Sequence, residues 1–549
     1  MRNRRLIVSA ALVAAGIGLV PGAAQAAGPV APAGHGAAAS AGAPGKAGVQ
    51  GTAAAFHSPA DRTKVTAQAE AAGNPDLAIE LEAYENSAHE ILLVSDVKSA
   101  AAALEITLDW GDGTTQKYAA SGADVQNTTH MYAEVGTYAV KVTVKDTTNN
   151  VTAVNDLTFV TAGSEFTPHA PTRVLDTRAG VGAAKAKVGG QGMVALKVGG
   201  VAKIPADVAA VVLNVTVTNA TDAGHIAVQP GKDFIRPTTS NLNYVAGQTV
   251  PNLVIVPVVD GYVHLVNGGW ASVDLLADVT GYFTHSAADG YAPLTPVRAV
   301  DTRAGLGTAK GQVAGYGTFD VEIAERNGVP KGATAVALNL TVTNPQEAGH
   351  LTAYPSGQAA PSTSSVNFTA GQTVANSVIV PVGPDGKISV RNGSWKPADV
   401  VMDVVGYYTP ASNAAFRPMS EPFRLIDTRE DAWYRTAGPV PAREYLMLPL
   451  MGDSAGPVTG WVLNTTVTNT RGAGHLSVAP DPNTWTDYQK GLQTRPERPG
   501  ASALNWTAGA TVPNLVQSPG GKGDVIDFWN QGWEPVDMII DCFGYYDTK

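Results

Sequence analysis

The chain has a single cysteine, Cys542, among 549 residues. No internal disulfide can form, and without a CxxC or Cys/His cluster no zinc site is expected. Clusters of Lys and Arg are also lacking, with 37 basic residues against 47 acidic ones for a formal charge of −10. Counterion release from nucleic acid requires dense basic patches, so nucleic acid and anionic membranes are not expected as general partners. Beyond the N-terminus no apolar run approaches the roughly 20 residues of a membrane helix, so no membrane insertion is expected. Long stretches of helical periodicity are missing too. In their place polar and β-branched residues alternate, the signature of half-buried strands.

The first residues place Arg2, Arg4 and Arg5 before an apolar run that ends on Ala24-Gln25-Ala26. This is the layout of an export leader over 1–26, cleaved after Ala26. Residues 27–75 are mostly Ala, Gly and Pro, too poor in large apolar side chains to offset the entropy of folding, and are expected to form a flexible tether. The leader has no cysteine for lipidation and the sequence stops at Lys549 without an apolar tail. A secreted, extracellular protein is expected, held at a cell surface, if at all, by non-covalent contacts.

From 76 to 161 the chain contains ITLDWGDGTTQKY and HMYAEVGTYAVKVTVKD. Ile106, Leu108 and Trp110 alternate before a Gly-Asp-Gly turn, and Tyr138, Val140, Val142 and Val144 alternate after Gly136, which predicts two strands with one buried face. With Trp110, Gly111, Asp112, Gly113, His130, Tyr132, Gly136 and Tyr138 in place, the segment resembles the PKD domain. That resemblance implies an immunoglobulin-like β-sandwich in which the motif supports the fold, and a role as spacer or as carbohydrate or protein contact. Asp109, Asp112 and Asp146 have the hard-oxygen chemistry of calcium ligands, but too few of them are visible to assign a site, and no cofactor is expected.

The remainder repeats itself three times, over 166–285, 291–410 and 416–549, with an inserted loop at 481–500 in the third copy. RVLDTR recurs as RAVDTR and RLIDTR; LNVTVTN as LNLTVTN and LNTTVTN; each is followed by AGH at His225, His350 and His475, about 125 residues apart. Each copy then has an Asn shortly before a Trp (Asn267 and Trp270, Asn392 and Trp395, Asn530 and Trp533) and closes on DVTGYF, DVVGYY or DCFGYY. Three tandem all-β modules, sandwiches of jelly-roll type, are expected behind the immunoglobulin-like one. A pattern opening on LDTR and closing on DVxGYY resembles a repeat of secreted actinobacterial, Streptomyces-like proteins. The resemblance implies source and location but carries no activity.

Within each copy the LNVTVTN strand sets Val211, Leu213, Val215 and Val217 on one face and Asn214, Thr216 and Thr218 on the other. If this strand and the next form a hairpin, Asn214 and His225 share a polar face, as do Asn339 with His350 and Asn464 with His475. That face reads either as a solvent-facing threonine ladder or as a shallow sugar-binding surface. Trp270, Trp395 and Trp533 are the best candidates for ligand contacts, since an exposed indole can stack on a sugar ring, the alternative being packing over the sheet edge.

Asp176 and Arg178 lie two apart on one strand and can pair with each other or with Asp278 in the closing strand. The same holds for Asp301, Arg303 and Asp403, and for Asp427, Arg429 and Asp541. A pair of carboxylates could serve acid/base hydrolysis, but three glycosidase sites in consecutive small modules would be unusual, so a structural clasp is expected. No GxSxG elbow occurs and no serine recurs at a matching offset from the histidines, so no enzyme is expected. Cys542 takes the slot of Val279 and Val404 and reads as a buried hydrophobe.

These readings lead to a non-catalytic binding or scaffold protein with a glycan or cell-wall polymer as favoured partner, where weak sites on linked modules add up. A protein partner carried by the scaffold, a self-assembling surface or appendage protein, and a hydrolase in the third copy using Asp481, Asp487 and Glu497 are the alternatives. Repeat spacing leaves open whether the modules form a string or a pseudo-threefold unit.

Overall fold

The computed structural model describes residues 56–65, 74–100, 103–451 and 458–549. The expected leader and the first part of the expected tether lie outside the described residues. The rest is almost entirely antiparallel sheet.

The N-terminal module is a two-sheet sandwich. One sheet holds Phe56–Ser58, Ala78–Glu85, Glu90–Lys98 and Asp124–Met131; the other holds Lys64–Val65, Val151–Val160, Thr137–Asp146, Leu104–Asp109 and Thr115–Ala120, in that order. The alternation legible in the sequence becomes the core, with Ile106, Leu108, Val140, Val142 and Val144 sealed between the sheets. Part of the span expected as tether is folded. Phe56–Ser58 pairs with Leu81–Ala83 and Lys64–Val65 with Ala153–Val154, so 56–65 belongs to the sandwich. These strands are too short for periodicity. They are held by tertiary contacts, Phe56 edge-on to Phe159 at 5.2 Å and the buried Ser58 hydroxyl donating to Asn155 at 2.9 Å.

Each repeat is an eight-stranded jelly roll. In the first copy the strands are Glu165–Asp176, Met193–Lys197, Ala210–Thr218, Gly224–Pro230, Leu242–Tyr244, Val250–Pro257, Tyr262–Asn267 and Asp274–Thr284. Strands one, eight, three and six form one sheet; two, seven, four and five form the other; both later copies repeat this order. The third and fourth strands therefore lie in different sheets. The hairpin that would have given Asn214 and His225 one polar face does not exist, nor do its counterparts for Asn339 and His350 or Asn464 and His475.

The modules close into a pseudo-threefold ring. Both faces of the third strand are buried in every copy. Val211, Leu213, Val215 and Val217 enter the jelly-roll core, while Ala210 and Val212 join Ala335, Ala337, Val462 and the aromatics Phe166, Tyr291, Phe416, Phe283, Tyr408 and Tyr546 in a central cluster shared by all three modules. Around it runs a cycle of amides. Asn376 of the second module donates to Asn214 of the first at 2.9 Å, Asn514 of the third to Asn339 of the second at 3.0 Å, and Asn252 of the first to Asn464 of the third at 3.1 Å. The bond from first to third closes the circle, which a string of modules could not do. Buried amides must be paired, and here each is paired by a different module.

The N-terminal sandwich is seated on the ring where the chain ends. His89 N–H donates to the Lys549 carbonyl at 2.7 Å, Ala88 N–H to the Asp547 carboxylate at 3.1 Å, and Ala88, Val135 and Ala415 pack together.

Candidate ligand-binding turns

Three indoles stand in water at equivalent turns, Trp270 at 82%, Trp395 at 74% and Trp533 at 78% exposure. Each turn follows the seventh strand and is built on the asparagine that ends that strand. Asn267 is fully buried; its amide donates to the carbonyls of Val188, Gly189 and Ala271, and its carbonyl accepts from Gly269 N–H at 3.0 Å and the Tyr244 hydroxyl at 2.8 Å. Asn392 spans Val313, Ala314 and Lys396 in the same way, and Asn530 spans Val440, Pro441 and Glu534. An amide with every donor and acceptor used fixes a turn far better than a loop of free backbone. A large apolar side chain is thereby presented outward on a rigid support.

The AGH histidines lie beneath these turns. A Cβ at Gly268 would fall 2.1 Å from the His225 ring, and one at Gly393 would fall 2.4 Å from that of His350, so the first two copies leave no room for a side chain there, whereas the third carries Gln531, whose N–H donates to the His475 carbonyl at 2.9 Å. Burial lowers the pKa of all three histidines. Arg391 adds to this at His350, and His475, beside Arg443 and Arg298, falls to about 4. They are neutral supports of the turn at physiological pH.

Asn214, Asn339 and Asn464, expected on an open face, are instead spent at module junctions. Asn214 donates to the Ser364 carbonyl at 2.6 Å, Asn464 to that of Ser240 at 2.7 Å, and Asn339 to that of Ser502. None is available to a ligand. Neither the sugar-binding face nor the solvent-facing ladder describes this strand, because a second module covers it.

The aspartates do join first and last strands, through an arginine the sequence reading passed over. Arg173, at the head of RVLDTR, donates from Nε to Asp278 at 2.7 Å and from Nη2 to its second oxygen at 3.0 Å, while Arg178 turns back onto Asp176 at 2.8 Å. Arg298 repeats this with Asp403 as Arg303 does with Asp301; Arg424 pairs with Asp541 and Arg429 with Asp427. Arg178 is the arginine in phase with Asp176, but a bulge between 173 and 175 re-aims the earlier one. The Arg178 guanidinium holds the Asp176 carboxyl down to about 2, whereas burial pulls Asp541 up to about 6 against the attraction of Arg424.

The insertion of the third copy carries one short helix, Trp485–Lys490, capped by Thr484 and Asp487 in a reciprocal box. Asp487 is thus used as a cap, Glu497 is exposed, and Asp481 is buried, accepting from Asn483 and the Tyr488 hydroxyl. Among the described residues Glu497 contacts neither aspartate. Asp481 instead faces Asp527, whose buried oxygens have no donor among the described residues. Burial and the Asp481 carboxylate push Asp527 up to about 9. Cys542 is buried, its thiol pushed up to about 12 by desolvation.

In the N-terminal module the WGDG motif is structural. Trp110 is buried with His130 stacked on it at 4.7 Å, and Tyr132 donates to the Trp110 carbonyl at 3.0 Å. Against the upward push of burial, hydrogen bonds from Thr114 and His130 hold Asp112 at about 2. Asp109 pairs with Lys141 at 2.9 Å and Asp146 accepts from Asn149 and Asn74, so the three acids do not gather around a common point.

Residues 86–159 match the PKD domain family, an immunoglobulin-like β-sandwich typical of extracellular proteins. A solved structure from Sulfolobus turreted icosahedral virus aligns over 70% of this chain and 90% of its own, at 9% identity and a TM-score of 0.14, far below the score of a shared fold. No curated protein matches the chain. No helix among the described residues is long and apolar enough to cross a membrane.

Proposed function

We propose that this is a secreted, non-catalytic glycan-binding scaffold that holds a polysaccharide, of a cell wall or the surrounding matrix, through three tryptophan turns on one closed ring. The supporting observation is the presentation of three indoles, each more than two-thirds exposed, by three fully buried asparagines. A large apolar side chain at that exposure contributes nothing to the core, and a stiff aromatic plate suits the apolar face of a sugar ring. Three weak contacts on a rigid frame gain by avidity without strong individual sites. Self-assembly through module faces is the weaker reading, because the faces it would use are already consumed inside the chain.

The test is retention of the full chain on insoluble peptidoglycan, chitin and cellulose. Wild type should be retained on at least one polymer. Changing Trp270 to Ala should weaken retention roughly 3- to 10-fold, and changing all three tryptophans should abolish it. Loss of retention on every polymer by the wild type, or full retention by the triple variant, refutes the reading.

A further inference from the structure

Beside each exposed indole one residue holds a left-handed backbone, Gln191 at φ 56°, Tyr316 at φ 57° and Arg443 at φ 64°. Glycine would adopt this conformation without strain, yet each copy keeps a large side chain there, and a different one. Gln191 ties its amide back to the carbonyls of Gly268 and Gly269 at 2.7 and 3.1 Å, leaving Trp270 a bare plate. Tyr316 stands edge-on to Trp395 at 4.7 Å, making a two-walled aromatic corner with the Arg391 guanidinium 5.6 Å over the Tyr316 ring. Arg443 donates from Nη1 to the Gln531 carbonyl at 2.7 Å and lays its guanidinium over Trp533 at 4.9 Å.

The third turn gathers further positive charge from the insertion that only this copy has. Arg498 donates to the Arg443 carbonyl at 3.1 Å, and Arg495 and Arg498 both lie over the Trp529 ring, at 5.6 and 5.7 Å. Arg495 is paired with Glu444 at 3.0 Å. Arg443 and Arg498 have no carboxylate partner among the described residues, in a chain whose acidic residues outnumber its basic ones. Guanidiniums without a carboxylate partner beside an exposed indole supply what an acidic sugar requires, a plate for the ring and a fork for its anion.

We infer that the left-handed residue sets the preference of each turn, and that the third turn binds an anionic saccharide, its carboxylate or phosphate between Arg443 and Arg498 and its ring on Trp533, while the first turn takes neutral sugars. This deepens the proposed glycan binding and rests on it. Affinity electrophoresis of the full chain through polygalacturonate and through a phosphomannan identifies the anion, and retention on the neutral polymers reports the first turn. Expected are retardation by one or both anionic polymers, at least a tenfold loss of that affinity in Arg443→Gln/Arg498→Gln, and unchanged retention on neutral polymer. Glutamine already occupies the equivalent left-handed position in the first copy, so the substitution at 443 suits the backbone. Retardation by neither anionic polymer, an unaffected double variant, or an equal loss in the control Arg62→Gln on the N-terminal sandwich overturns the inference, and in each case continued tryptophan-dependent retention on neutral polymer leaves the broader reading standing. Loss of neutral retention as well removes both.

Discussion

Two strands with the same alternation have opposite fates in this protein. In the N-terminal sandwich, Thr137–Asp146 buries Val140, Val142 and Val144 and leaves Lys141 and Lys145 in water. In the jelly rolls, Ala210–Thr218 and its two counterparts alternate equally well and are buried on both faces. Alternation reports which side chains meet a strand's own core. It says nothing about what covers the other side, and small or amide side chains at those positions (Ala210, Val212, Asn214) are compatible with a second protein surface.

The largest break in this comparison should come from charging the hidden face. Ala337→Asp places a carboxylate in the central cluster and should cost about 5 kcal/mol, read as loss of soluble protein or a collapse of the thermal midpoint. Lys145→Gln on the wet face of the N-terminal sandwich should stay within about 0.5 kcal/mol. Next come the two arginines of each clasp. Arg173→Met strands the buried Asp278 without its partner and should cost roughly 3–5 kcal/mol in urea unfolding, while Arg178→Met, whose guanidinium is nearly half exposed, should cost about 0–1 kcal/mol. Equal losses would mean that the clasp is not the inner pair.

A pH series distinguishes the third module from the others. The Asp527 carboxyl is raised from 3.8 to about 9, so the folded state keeps a proton that the unfolded chain releases. Stability therefore falls as pH rises from about 4 towards 9. Asp527→Asn, which needs no proton, should melt higher than wild type at pH 8, by a margin that narrows towards pH 4; a constant margin would contradict the assignment. Smallest of all, Trp270→Ala should leave the thermal midpoint within about 1 °C, since an indole 82% exposed supports nothing. A marked loss would make that tryptophan structural.

The sites were legible to different depths. Trp270, Trp395 and Trp533 stand out because an indole recurring after an asparagine is visible in the chain, yet whether it points outward depends on the cage around Asn267 and its equivalents. Asp278, Asp403 and Asp541 were recognisable as clasp members, whereas Arg173, Arg298 and Arg424 were hidden by a bulge that breaks the count of two. Gln191, Tyr316 and Arg443 carried no signal, since three unlike residues at one position do not register as a repeat. Only their shared positive φ aligns them.

By itself the sequence determined the all-β class, the N-terminal PKD-like sandwich, the threefold repetition and the positions of the tryptophan turns, because these follow from periods and motifs written within a few tens of residues. The tertiary structure alone decided that the modules close into a ring, that the threonine and asparagine face lies inside it, and that the insertion of the third copy delivers arginines to one turn. Those outcomes join residues more than a hundred positions apart, such as Asn252 with Asn464. Such pairings depend on how complete folded surfaces fit together, and no local pattern in a single chain encodes that fit.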